Sequence, residues 1–178
     1  MSQRSIGNMI AGRMNLGTMI VGRMIIVFVF LLCASTAALA QMPNPYGLSI
    51  TLEAAKKAAM PALAEAAKNN WSMAVAIVDP AGNLVYYEKM DNTQLGSANV
   101  ATDKARSAAL FKRPTKAFQD ALAAGGEGLR VLGLQGATPV EGGIPLVSDG
   151  KIVGAIGVSG GASAQDAQCA KAGADALK

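Results

Sequence analysis

The sequence predicts an α+β domain in which helices cover an antiparallel sheet. Three observations predict it. Two hairpin signals occur, each made of apolar runs around a polar turn. Helical periodicity lies between and outside them, so the chain does not alternate βαβ units. The composition is 51% hydrophobic but 4% aromatic, with 20 glycines, which reads as globular and not disordered.

The elements follow in order. Thr51 is the expected N-cap of an Ala-rich helix from Leu52 to Asn70, with Leu52, Ala55, Ala59, Leu63 and Ala66 on one face. Pro61 inside it removes a donor and predicts a kink or a split. Met73 to Asp79 is a continuous apolar run of strand length. Pro80-Ala81-Gly82-Asn83 turns the chain, and Leu84 to Met90 alternates as a strand with one wetter face. Ser97 to Phe111 reads as a helix with an alanine stripe, Ala101, Ala105 and Ala108. Pro114 opens a short helix to Ala123, and after Gly125, Gly126 and Gly128 a strand is expected at Leu129 to Leu134. Ile144 to Val147 and Ile152 to Val158 flank Ser148-Asp149-Gly150-Lys151 as the second hairpin, and a helix from Ala164 to Leu177 ends the chain.

Residues 1–40 read as a cleaved export signal. Arg4, Arg13 and Arg23 precede the apolar run Met24 to Leu32, and Ala38-Leu39-Ala40 places small residues before the expected cut at Gln41. That run is short against the roughly 20 residues of a membrane span, so no stable anchor is expected after cleavage. Leu32 stands before Cys33 where a lipidation motif needs a small residue. Gly-Arg-Met at 12–14 and 22–24 leaves Met14 or Met19 as alternative starts. The organisation is then signal 1–40, extended leader 41–48 with Pro43, Pro45 and Gly47, and one domain 49–178, placed in the periplasm or outside the cell.

Removing the signal changes the charge. Three of 16 basic residues and none of 12 acidic ones lie in it, so the net charge drops from +4 to 13 − 12 = +1. A nucleic-acid partner loses its electrostatic warrant. Of two cysteines only Cys169 is left, as a buried thiol, an intermolecular bridge or a soft ligand. The chain has no histidine, which excludes a Ser-His-Asp set and the usual zinc spacings.

Five stretches carry a resemblance: Ile77-Val78-Asp79-Pro80-Ala81-Gly82-Asn83-Leu84, Asp103-Lys104-Ala105, Phe111-Lys112-Arg113-Pro114-Thr115, Gly142-Gly143-Ile144-Pro145-Leu146 and Gly154-Ala155-Ile156-Gly157-Val158-Ser159-Gly160-Gly161. Each alone is a turn or a Gly-rich strand. Together, in this order, the chain resembles the GlcG/HbpS-like haem-binding, haem-degrading-domain family. The resemblance implies a profilin-like fold with about five antiparallel strands, assembly into homo-oligomers, and in some members binding of haem, iron or a corrinoid. Acidic pairs that hold iron in some relatives correspond here to Asn99 and Thr102, which are weak iron ligands.

Without histidine, an axial ligand to haem would have to be Tyr, Met, Cys, Lys, an oxygen ligand or water. Tyr86, Tyr87, Met73, Met90 and Cys169 are candidates, and each also reads as packing. The candidate binding residues are Lys104, Ser107, Phe111, Arg113, Glu141, Gly142 and Gly143. Lys104, Ser107 and Phe111 share a helix face, and Lys104 and Arg113 suit the propionates. Against this, Lys104 also reads as a solvated lysine or one salt-bridged near Asp103 or Asp79, and Phe111 as core. Arg113-Pro114-Thr115 reads as an anion-holding helix start or a plain cap. Glu141 reads as a base or as a solvated loop acid. Ser159-Gly160-Gly161-Ala162-Ser163 matches no phosphate-binding pattern, and Ser163 as N-cap with Asp166 three later accounts for it. Gly154 and Gly157 mark a close backbone approach.

The function expected is small-ligand binding, with haem or a related tetrapyrrole held by non-histidine ligation. Two other readings stay open: an enzyme or accessory acting on a small organic substrate through Lys104, Arg113 and Glu141, and an oligomerisation module without ligand. No metal site of the protein's own is expected.

Overall fold

The computed structural model describes residues 44–177. The export signal predicted at 1–40 lies outside the described residues. The elements are α1 (Leu52–Lys68), β1 (Ala74–Val78), β2 (Leu84–Lys89), α2 (Ser97–Leu110), α3 (Lys116–Ala123), a 3₁₀ turn (Gly126–Gly133), β3 (Gly143–Ser148), β4 (Lys151–Ser159) and α4 (Ser163–Asp175). They form an α+β fold around a four-stranded antiparallel sheet of order β2-β1-β4-β3.

The continuous apolar run Ala74–Val78 becomes a central strand because both its faces are covered, and all five residues are buried. Val75 and Ile77 join Leu146, Ile156 and Val158 against α1 and α4, where Ala55, Ala59, Ala62, Cys169 and Ala170 close the larger core. On the opposite face Ala74, Ala76, Val78 and Ala155 meet Ala101, Ala105, Ala108 and Ala109 of α2. Small residues on both sides bring that helix very close to the sheet. A Cβ on Gly157 would lie 2.0 Å from the Ala101 carbonyl oxygen, so only glycine fits there.

Three expectations meet a different structure. The sheet has four strands, not about five, because the segment expected as a strand at Leu129 to Leu134 falls largely in the 3₁₀ turn. Gly125 and Gly126, at φ 67° and 53°, start a tight turn. Leu129 and Leu132 then stay exposed while only Val131 turns inward, so there is no strand-like alternation. Of the kink or split expected at Pro61, the split does not occur: α1 runs from Leu52 to Lys68 with Pro61 inside it. The donor that Pro61 lacks would have bonded the carbonyl of Lys57, an exposed residue whose oxygen water can serve. Leu52, expected on the buried face, is 53% exposed.

The leader is tied to the end of the second hairpin. Gly47 N donates to Ile152 O at 2.8 Å, and Ile152 N donates to Pro45 O at 2.8 Å. Tyr46 then donates its hydroxyl to Ala109 O at 2.9 Å at the end of α2. At the sheet's other margin β3 is an edge strand carrying Pro145, a residue that edge strands tolerate.

Candidate functional site

The site is built where the loop into β3 meets α3 and α4. Thr115 and Gly143 exchange two hydrogen bonds: Gly143 N donates to Thr115 Oγ1 at 2.9 Å, and Thr115 N donates to Gly143 O at 3.0 Å. Thr115 therefore spends its hydroxyl on the loop and does not cap α3. Gly142 O accepts from Val158 N at 3.0 Å, and Glu141 N donates to Gln119 Oε1 at 2.9 Å. Three consecutive residues are thus fixed from two elements, α3 with the residue that precedes it and β4.

Behind that loop lies a buried ion pair. Lys104 Nζ is 2.7 Å from Asp166 Oδ2 and donates also to Val158 O at 3.1 Å, with the two side chains 1% and 4% exposed. The other carboxylate oxygen of Asp166 accepts from Gly161 N at 3.1 Å. Lys104 pairs with Asp166, then, and not with Asp103 or Asp79 as its position in the sequence suggested. Ser163 is the first residue of α4 and not its cap; Gln165 Oε1 instead accepts from Ala162 N at 2.9 Å.

Two adjoining cavities open in front of the loop. One, of about 190 Å³, is lined by Pro114, Lys116, Glu141, Gly142, Gly143, Ile144, Ala167 and Lys171. The other, of about 290 Å³, continues along the β3 edge past Pro145, Val147, Ala174 and Asp175, and shares Pro114, Ile144 and Lys171 with the first. They make one groove with β3 and its loop on one wall and α4 on the other. Its β3 wall is apolar, and Lys116 and Lys171 are its two basic lining residues. Each lysine is held by the aspartate four residues on, Asp120 at 2.7 Å and Asp175. The Asp120 bond comes first in raising the Lys116 pKa, so that amine stays charged.

The structure brings together Glu141, Gly142 and Gly143 of the seven expected binding residues. Lys104 lies behind Gly142, fully buried, and is no propionate partner. Ser107, Phe111 and Arg113 do not line the groove. Ser107 Oγ accepts from Thr138 N at 3.0 Å, and Phe111 packs edge-on against Phe118 with ring centroids 5.2 Å apart. The exposed Arg113 guanidinium lies 5.6 Å over the Phe118 ring. Sequence reasoning missed Lys116, Ala167 and Lys171 as lining residues. Ile144 and Pro145 stood inside a quoted motif, but nothing in the sequence marked Lys171, which reaches the groove only because α4 packs beside β3.

Haem needs an apolar slot, cations for its propionates and an iron ligand. The groove fits the first two requirements. Iron ligation by histidine has no residue here to supply it. The proposed alternatives lie elsewhere. Met73 and Cys169 are core residues, and Met90 packs against the core. Burial pushes the Cys169 thiol up to about 11, with the charges of Glu65 and Asp166 adding to it, so it remains a neutral, poor ligand. Tyr86 donates its hydroxyl to Glu88, which raises its pKa, and burial raises that of Tyr87. Asn99 is exposed, and Thr102 Oγ1 donates to Ala98 O at 3.0 Å. Among the described residues no group of three or more acidic, cysteine or histidine side chains could hold a metal ion.

Comparison with known proteins agrees with this architecture. The family model described as haem degrading protein HbpS-like matches residues 50–175. Protein GlcG of Escherichia coli K12 is 44% identical over 95 residues, covering 53% of this chain and 69% of that protein. An uncharacterised 15.0 kDa protein of Citrobacter freundii is 34% identical over 129 residues, 71% of this chain and 91% of its own length. Among solved structures, a double mutant of Streptomyces reticuli HbpS superposes with a TM-score of 0.68 at 31% identity, covering 81% of this chain and 97% of that one. A complex of PduOC with haem superposes at 0.66 and 25% identity over 74% and 96% of the two chains. With the family model matching residues 50–175 and these relatives in agreement, the chain belongs to the family described as haem degrading protein HbpS-like.

Proposed function

We propose that this chain is an exported binding protein for haem or a related tetrapyrrole, held in the groove between β3 and α4 without an iron–histidine bond. The observation that carries the reading is the groove itself: an apolar lining of Pro114, Ile144, Pro145 and Val147 together with two lysines, Lys116 and Lys171. The apolar lining would take a macrocycle face, and Lys116 and Lys171 would hold its propionates. Their partners Asp120 and Asp175 are surface residues, and water screens such exposed pairs, so a propionate can displace them. Family membership and the haem complex of PduOC support this ligand class. Glu141, on the groove wall, is the carboxylate placed to meet the ligand from the loop. The enzyme reading loses its proposed trio, because Lys104 is buried in an ion pair and Arg113 lies off the groove.

Haemin added to the purified protein should give a saturable Soret shift, and Lys116→Glu with Lys171→Glu should weaken it. A spectrum identical to free haemin at every protein concentration would refute the reading. Export rests on the pattern of residues 1–40 and predicts a periplasmic product beginning at Gln41, which N-terminal sequencing checks. Homo-oligomer assembly belongs to the same proposal, resting on the family resemblance, and light scattering of the purified protein tests it.

A further inference from the structure

Lys104 and Asp166 touch neither cavity, yet they stand where the two walls of the groove join. Asp166 precedes Ala167, which lines the α4 wall, and the same turn of helix leads to Lys171. Lys104 Nζ lies beneath Gly142, which lines the opposite wall. A Cβ on Gly142 would lie 3.0 Å from that Nζ, 2.9 Å from Asp166 Cβ and 2.8 Å from Val158 O. Gly142 also has φ 122°, a backbone conformation other residues resist. The next residue is held from the same helix, since a Cβ on Gly143 would lie 2.3 Å from Lys104 O. One lysine therefore contacts the loop through both its ammonium and its carbonyl, while its carboxylate partner anchors the first turn of α4.

We propose that Lys104 and Asp166 are positioning residues for the ligand groove, setting the distance between the Gly142–Gly143 wall and the α4 wall. This rests on the groove being the ligand site. Stability alone does not call for a buried ion pair here. Well-packed apolar side chains of similar volume commonly replace such a pair without loss, whereas removing one partner strands the other charge. What apolar side chains cannot reproduce is the directional link from one ammonium to Asp166 and Val158 O, under a loop with no side chain to spare.

The test uses Lys104→Met with Asp166→Leu in the full chain. The expected result is a folded protein with wild-type Tm, haemin affinity weakened by about tenfold, and faster hydrogen exchange at the Gly143 and Val158 amides, with Ala76 unchanged. Unchanged affinity and unchanged exchange in the folded double variant would overturn the proposal. If the double variant does not fold, Asp166→Glu decides. It keeps the pair but adds a methylene between the walls, so exchange at Gly143 should rise, and exchange at the wild-type rate would overturn the proposal. A wild-type protein that leaves haemin free refutes the ligand reading alone, and the exchange measurements then decide the positioning role without a ligand.

Discussion

The Lys112 ammonium lies 4.1 Å over the ring of Tyr46, while the Tyr46 hydroxyl donates to Ala109 O at 2.9 Å and Leu110 O at 3.1 Å. The leader thus closes the C-terminal end of α2, whose last carbonyls have no partner within the helix. Tyr46→Phe keeps the ring under Lys112 and removes both bonds, so it should cost about 1 kcal/mol in urea unfolding. Haemin affinity should be unchanged, because the groove lies elsewhere.

Gly157→Ala should be far more costly. The added methyl meets the Ala101 carbonyl, backbone that cannot rotate away, so α2 must lift from the sheet. A loss of about 3 kcal/mol is expected from overpacking of this kind, read as a lower urea midpoint.

Cys169 should be silent towards thiol reagents at pH 8 in the native protein and react once unfolded in urea. Its folded pKa of about 11 is raised from an ordinary 9.0. A raised acid pKa means the folded state keeps its proton longer, so its contribution is complete below about pH 9 and is lost as pH climbs to about 11. Urea midpoints should fall across that window, and the fall should be smaller in Cys169→Ala.

Asp79 works in the opposite direction. Burial opposes its ionisation, but bonds from the Asn83 side chain at 3.0 Å and from the Asn83 and Ala81 amides at 2.8 and 2.9 Å prevail and lower its pKa. A lowered carboxyl pKa gives stability that is present above the unfolded value and lost as pH falls through the folded one. Wild type should therefore lose stability below about pH 4, and Asp79→Ala should show less of that loss.

Ile144 lines both cavities and is only half-buried. Ile144→Asp should weaken haemin binding by about tenfold, since a carboxylate in the apolar lining opposes both the macrocycle and the propionates. A haemin titration checks this, with thermal melting to confirm that the fold survives.

Much of the fold was legible because its signals are local. The run Ala74–Val78, the turn at Pro80-Ala81-Gly82-Asn83 and the alanine stripe of α2 each announce their element within a few residues. The strand expected near Leu129 failed because its apolar residues imply no particular partner, and both sheet edges were already formed by β2 and β3. The site was legible only at Glu141, Gly142 and Gly143. The partner of Lys104 is 62 residues away, and no pattern short of the tertiary fold distinguishes Asp166 from the acids nearer in sequence. Lys171 was hidden for the same reason, as an ordinary surface residue until α4 lies beside β3.

Pro145 has a consequence beyond the groove. A strand at the margin of a sheet is an open template on which another extended chain can be laid, and repetition of that event makes a fibre. A proline on such a strand keeps its missing donor on the outer side, so an incoming strand meets a gap in the ladder at that point. The β3 edge is thereby kept from recruiting backbone at that point, which lets the fold leave this edge uncovered without seeding its own aggregation.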